Sequence, residues 1–168
     1  MNKEQVNKTL TAFANNVISS AKANLKSQNK DASGRLANSL SYTLSYTNTG
    51  FTLAFLMEQY GEYQDKGVSG TKRKYNTPFK YTDKMPPPKA FDKWGIRRGI
   101  APRTKTGQFE KRKSLDFALA RSIFYKGIKP SLFFTAPFEK YWNNLPDGFV
   151  NAFAVDLERN IVEQINKK

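Results

Sequence analysis

Hydrophobic residues recur at spacings of three and four along residues 4–27: Val6, Leu10, Phe13, Val17, Ala21 and Leu25, with Ala14 and Ile18 widening the stripe. That period predicts a long amphipathic helix with one buried face. Asn and Lys fill the opposite face, and asparagine is a weak helix former, so packing must hold this helix more than propensity does. Asp31-Ala32-Ser33-Gly34 breaks the pattern, and Leu36, Ala37 and Leu40 suit one short turn after it. The period then switches to two. Tyr42, Leu44 and Tyr46 alternate with Ser and Thr, Asn48-Thr49-Gly50 is a turn signal, and Phe51, Leu53, Phe55 and Met57 alternate again. Two such runs joined by a short Asn/Gly turn predict an antiparallel hairpin.

Glu58–Lys66 reads as a short helical turn ended by Gly67, and residues 68–87 as a long loop carrying Gly70, Pro78 and the run Pro86-Pro87-Pro88. Three prolines stiffen the chain into an extended segment, and Pro88 can open a helix. Lys89–Arg98 then predicts a short helix with Ala90, Phe91, Trp94 and Ile96 inward, stopped by Gly99. Residues 99–113 are polar, basic and turn-rich, which predicts a second loop. Ser114 is placed to cap a helix with Leu115, Ala118, Leu119, Ser122 and Ile123 inward, and with Asp116 in its first turn. Gly127 ends that helix. Residues 128–136 suit a short third strand or an extended lead into Pro137, followed by a brief helical turn through Trp142. The aromatic group Phe133, Phe134, Phe138, Tyr141 and Trp142 reads as core. From Asp147 onward Phe149, Val150, Phe153, Ala154, Leu157, Ile161 and Ile165 repeat the helical period. The predicted class is α+β: long N- and C-terminal amphipathic helices packed on a small antiparallel sheet, with short middle helices and long basic loops. The whole of 1–168 reads as one domain with a basic excursion at about 68–113. A two-stranded hairpin alone is marginal, so a third strand or a neighbouring subunit must complete the sheet.

Charge sharpens this picture. The chain carries 28 Lys+Arg against 14 Asp+Glu, a net +14, and residues 61–130 hold 18 and 6 of these. The field is therefore concentrated in the middle, where it attracts polyanions and repels its own copies. The clusters are Lys72-Arg73-Lys74, Arg97-Arg98, Arg103 with Lys105, and Lys111-Arg112-Lys113, with Tyr75, Phe79, Tyr81 and Phe109 interleaved. Cations beside aromatics suit backbone-tracking, sequence-tolerant nucleic-acid contacts. They suit acidic faces of partner proteins and plain solvation as well. A sequence-nonspecific nucleic-acid-binding protein using residues 61–130 is thus one open reading.

There is no histidine and no cysteine. The commonest general base, the commonest metal ligand and every thiolate chemistry are missing, and no metal-ligand spacing or phosphate-cradling glycine loop stands in for them. Catalysis, a metal and a cofactor are not expected. Glu58 and Glu62 are four apart, as on one helical face, and read as surface charge. No run approaches the eighteen apolar residues of a membrane span, and Met1–Gln5 opens polar rather than as a leader, so no membrane association is expected.

Several stretches in order resemble the tail-completion, or neck, proteins of tailed bacteriophages, the gene-ten-like minor tail protein family of lambdoid phages. Gly34, Arg35, Leu36, Ser39 and Leu40 match the entry to the first strand. Tyr60, Tyr63 and Gly67 match a tyrosine-rich segment closing on glycine, and Pro88 with Trp94 matches a helix motif. Ala118, Ala120, Ser122 and Ile123 match a further helix that ends at Gly127, Ile128, Pro130, Phe133 and Phe134, and Ala136 matches an alanine opening the final helices. The resemblance covers about residues 4–166. It implies an α+β virion subunit, made in the host bacterial cytoplasm, that forms a closed ring of six or twelve copies at the head–tail junction. It also implies contacts with portal or connector proteins above and tail proteins below, around the DNA passage, and it carries no catalytic residues. The marked basicity and the loops at 68–87 and 99–113 depart from the family pattern.

Overall fold

The computed structural model describes residues 3–30, 32–47 and 50–146. The expected second amphipathic stripe, from Asp147 onward, and the turn residues Asn48 and Thr49 lie outside the described residues. Within them the chain is mixed α+β: six α-helices with small antiparallel β-pairings. The helices are α1 (Lys3–Ser27), α2 (Arg35–Ser39), α3 (Gly61–Lys66), α4 (Asp92–Arg97), α5 (Arg112–Lys126) and α6 (Thr135–Trp142). The strands are β1 (Ser41–Thr47), β2 (Gly50–Leu56), β3 (Val68–Ser69) and β4 (Gly127–Ile128). The chain divides into two compact units, Met1–Asn24 with Ala37–Glu58 and Phe133–Lys168, and Leu25–Leu36 with Gln59–Leu132.

The first unit is built on the predicted stripe. Leu10, Phe13, Ala14, Val17 and Ala21 of α1 are all buried. β1 and β2 pair from Ser41↔Leu56 to Thr47↔Gly50. This register puts Tyr42, Leu44, Leu53 and Phe55 on one half-buried face and Ser41, Thr43, Ser45 and Thr52 on an exposed one, as period-two alternation requires. Aromatic rings join the elements. Phe13 meets Phe55 edge-on at 6.1 Å and Phe138 at 5.6 Å, and Phe55 meets Phe134 at 5.2 Å. Edge-to-face geometry adds to the area these rings bury. Phe133 is fully buried, Tyr141 shares a 3.0 Å hydrogen bond with Ser20, and Trp142 stacks on Phe138 although its side chain is 54% exposed.

The third strand is not where 128–136 suggested. β4 pairs with β3, Val68↔Ile128 and Ser69↔Gly127, in a separate ladder. The β1–β2 hairpin is therefore a two-stranded sheet with no third strand among the described residues. Pro137 lies inside the first turn of α6 rather than ending an extended run, because a proline there forfeits only an N–H that the helix would leave unbonded.

In the second unit, Leu25 and Leu36 are fully buried. A 3-10 turn, Pro88–Phe91, leads into α4, so the predicted 89–98 helix exists as two pieces. Ile96 faces outward at 54% exposed, and Ala118 is exposed too. The expected cap at Ser114 is displaced: α5 begins at Arg112, its N-cap is Lys111, and no side chain caps it. Asp116 is buried rather than a surface complement to the helix dipole.

Candidate functional site

The basic middle of the chain is folded around a two-residue ladder. Gly67 (φ +75°) and Gly127 (φ +72°) occupy left-handed backbone that disfavours side chains. A Cβ on Gly67 would lie 2.6 Å from Ile128 O and Pro130 Cδ, and one on Gly127 would collide with the Val68 carbonyl. Three residues that the family resemblance singled out, Gly67, Gly127 and Pro130, thus meet where β3 and β4 touch. The next residue of β3 organises the loop. Ser69 N donates to Phe79 O (2.8 Å), Tyr81 N donates to Ser69 O (2.9 Å), and the buried Ser69 hydroxyl bridges Tyr75 N (3.0 Å) and Tyr75 O (3.1 Å). Residues 70–81, part of the long loop expected at 68–87, are a strap held by Ser69 and by the end of α5, where Thr71 N donates to Phe124 O (2.9 Å) and Lys72 N to Tyr125 O (3.0 Å).

The ten cations expected to contact nucleic acid or an acidic partner fall into two groups. The first group is engaged by its own unit. Lys72 Nζ lies 4.7 Å over the Tyr125 ring, Arg73 stacks 5.3 Å from Tyr75, and Lys74 Nζ donates to Gly70 O at 2.9 Å. Arg98 lies 5.9 Å over Trp94 and donates through Nη2 to Asn29 O, while its buried Nε has no partner. Arg103 stacks 4.0 Å over Phe109 and donates through Nη1 to Gly107 O at 3.0 Å. The second group is Arg97, Lys105, Lys111, Arg112 and Lys113. These five are exposed and, among the described residues, have neither an ion-pair nor a ring partner. Lys111, Arg112 and Lys113 also crowd the positive end of the α5 dipole, where cations are disfavoured by about 0.3–1 kcal/mol each.

The other resemblance residues have structural positions. Gly34 has φ +74°, Leu36 is fully buried, Trp94 is half-buried beside Arg98, and Phe134 packs on Phe55 and Phe138. Tyr60 and Tyr63 are partly exposed instead, and with Val68, Phe79, Lys80 and Tyr81 they line an open cleft of about 630 Å³. Tyr63 meets Phe79 edge-on at 4.7 Å, and burial raises the Tyr81 phenol above its ordinary range. Lys30 shifts the opposite way, lowered by burial first and then by the nearby charge of Lys129.

The carboxylates are not gathered into a cluster among the described residues. Glu58 precedes α3, so it shares no helical face with Glu62, which instead takes an ion pair from Lys66 at 2.9 Å. Among the described residues no group of three acidic side chains could hold a metal ion, and no helix is long and apolar enough to cross a membrane.

One arrangement had no counterpart in the sequence reading. Lys113, Phe117, Arg121 and Tyr125 are spaced by four along α5, and all but the half-buried Tyr125 are exposed. Arg121 lies 5.6 Å over the Tyr125 ring, on which Lys72 also rests. Of the stripe expected inward, Leu115, Leu119, Ser122 and Ile123 are part-buried and Ala118 is exposed, and this ridge lies on the opposite face of the helix. Comparison of the chain with family models, curated proteins and solved structures finds no match.

Proposed function

We propose that this chain is a non-enzymatic structural subunit of a tailed-phage particle, forming a closed ring at the head–tail junction around the DNA passage. The observation that carries the reading is the β1–β2 hairpin, a two-stranded sheet with no third strand among the described residues. Isolated two-stranded sheets are marginal, and an open edge is a template for another copy. Association of one edge with a different surface of the next copy is heterologous, and it closes into a ring when the rotation permits. The order of the resemblance motifs supports the head–tail assignment. The absence of His and Cys supports a role in which no bond is made or broken. Portal-side and tail-side proteins are the partners this reading requires.

The test is the mass of the purified full chain, by native mass spectrometry and electron microscopy. A closed ring is expected. Thr43→Lys with Ser45→Lys, both exposed on β1, should yield folded monomer, because charge on an edge strand discourages pairing. A chain that stays monomeric up to its solubility limit, and that binds DNA with steep salt dependence, sinks the ring in favour of a free nucleic-acid-binding protein.

A further inference from the structure

We infer that the outward ridge of α5, Lys113–Phe117–Arg121–Tyr125, docks an acidic protein segment whose carboxylates bracket an apolar side chain, and that it is not a nucleic-acid face. This deepens the assembly role proposed above. It rests on that reading for where the partner is met, not for the chemistry of the contact.

The ridge alternates cation and aromatic. Residues four apart share a helix face, and Lys113 and Arg121 lie about 12 Å apart along the axis at 1.5 Å per residue. Between them Phe117 is 51% exposed and meets no other ring or cation among the described residues. The one carboxylate within α5, Asp116, is buried on the other side, and Glu110 just before the helix forms no ion pair among the described residues. The face therefore offers two charges with no internal counterion and an apolar centre. An exposed aromatic beside an arginine is a composition enriched in protein interfaces.

Nucleic acid fits less well, for a geometric reason. Single strands bind such surfaces by stacking bases on open ring faces. On this ridge Tyr125 is already covered by Lys72 and Arg121, so a single strand would find Phe117 alone to stack on. A duplex contacted through its phosphates would use the cations and leave Phe117, along with Phe109 at 71% exposed, in water. A partner helix with carboxylates about two turns apart around an apolar residue uses all three positions at once.

The experiment titrates the full chain at about 0.15 M salt, where long-range attraction is screened. The probes are a helical peptide with two Glu eight positions apart bracketing a Leu, the same peptide with Lys for Glu, duplex DNA and oligothymidylate. The acidic peptide should bind saturably. Phe117→Ala should weaken it about tenfold, and Lys113→Glu with Arg121→Glu should abolish it and create binding of the Lys peptide. Circular dichroism of each variant should match the wild type, since all three positions are exposed. DNA or oligothymidylate displacing the peptide, with Phe117→Ala indifferent, overturns the inference in favour of nucleic acid. No binding by the acidic peptide overturns it outright. Self-association lost in Phe117→Ala alone overturns it in favour of a second copy. Ring formation is followed in the same samples: a ring without peptide binding sinks this surface alone, and peptide binding without a ring sinks the assembly reading alone.

Discussion

The two compact units differ in what holds them and in what they present. The first contains 7 Lys+Arg and 7 Asp+Glu, and a chain of edge-on rings from Phe13 through Phe55 to Phe138 runs through its interior. The second contains 21 Lys+Arg against 7 Asp+Glu, which is the whole net charge of the protein. Few large apolar side chains are buried in it, and it is closed by glycines at a two-residue ladder and by one serine hydroxyl. A neutral aromatic core tolerates loss of single backbone hydrogen bonds. A unit held by close backbone approach is vulnerable wherever a glycine permits that approach. Self-repulsion among its cations adds to that fragility, and added salt relieves it.

The sharpest way to break this comparison is Gly127→Ala. The new methyl group meets the Val68 carbonyl at a positive φ, so a loss of about 4 kcal/mol or more is expected. Hydrogen exchange should then rise across 66–81 and 122–130 while amides of 10–21 stay protected. Uniform loss of protection would mean that the two units do not fold separately. Phe13→Ala attacks the other unit. Its ring is 4% exposed and contacts Phe55, Phe138 and Trp142, so about 3–4 kcal/mol should be lost in chemical denaturation, with the protection pattern reversed. Ser69→Ala should cost about 2 kcal/mol by stranding the Tyr75 amide. A change below a few tenths would remove the serine from its organising role.

The smallest effect is electrostatic. Lys30 has its affinity for a proton lowered in the fold, so the unfolded chain holds that proton more tightly. The penalty is therefore present at neutral pH and fades as pH rises through the lowered value toward the ordinary lysine range. Lys129→Gln should stabilise the protein at pH 7 by no more than ~0.5 kcal/mol, discounted for solvent screening, and the gain should vanish in strong alkali. A gain that grows with pH would contradict the assignment.

Much of the first unit was legible because its periods are long. The α1 stripe repeats over six turns, and the hairpin alternates over two seven-residue strands, so each buried position is reinforced by its neighbours. The second unit resisted reading for the opposite reason. Strands of two residues have no period, and β3 finds β4 only through glycines whose function is close approach. In α5 the residues Leu115, Phe117, Ala118, Leu119, Ala120, Ile123 and Phe124 leave no polar stripe, so placing Ala118 inward was a choice among equals that packing decided otherwise. The basic clusters were plain in the sequence. Their division into cations folded onto rings and carbonyls and cations facing solvent needed coordinates.

The segment from Arg103 to Phe109 is closed at its base. Arg103 and Phe109 form a bridge, Thr104 N donates to Gln108 O, and Glu110 N donates back to Pro102 O. Its two ends are thus neighbours held by their own bonds, which makes it a detachable tab. An engineer could shorten it to a tight turn, or splice an epitope or fluorophore site at Lys105–Gly107, and expect the flanking α4 and α5 to keep their geometry.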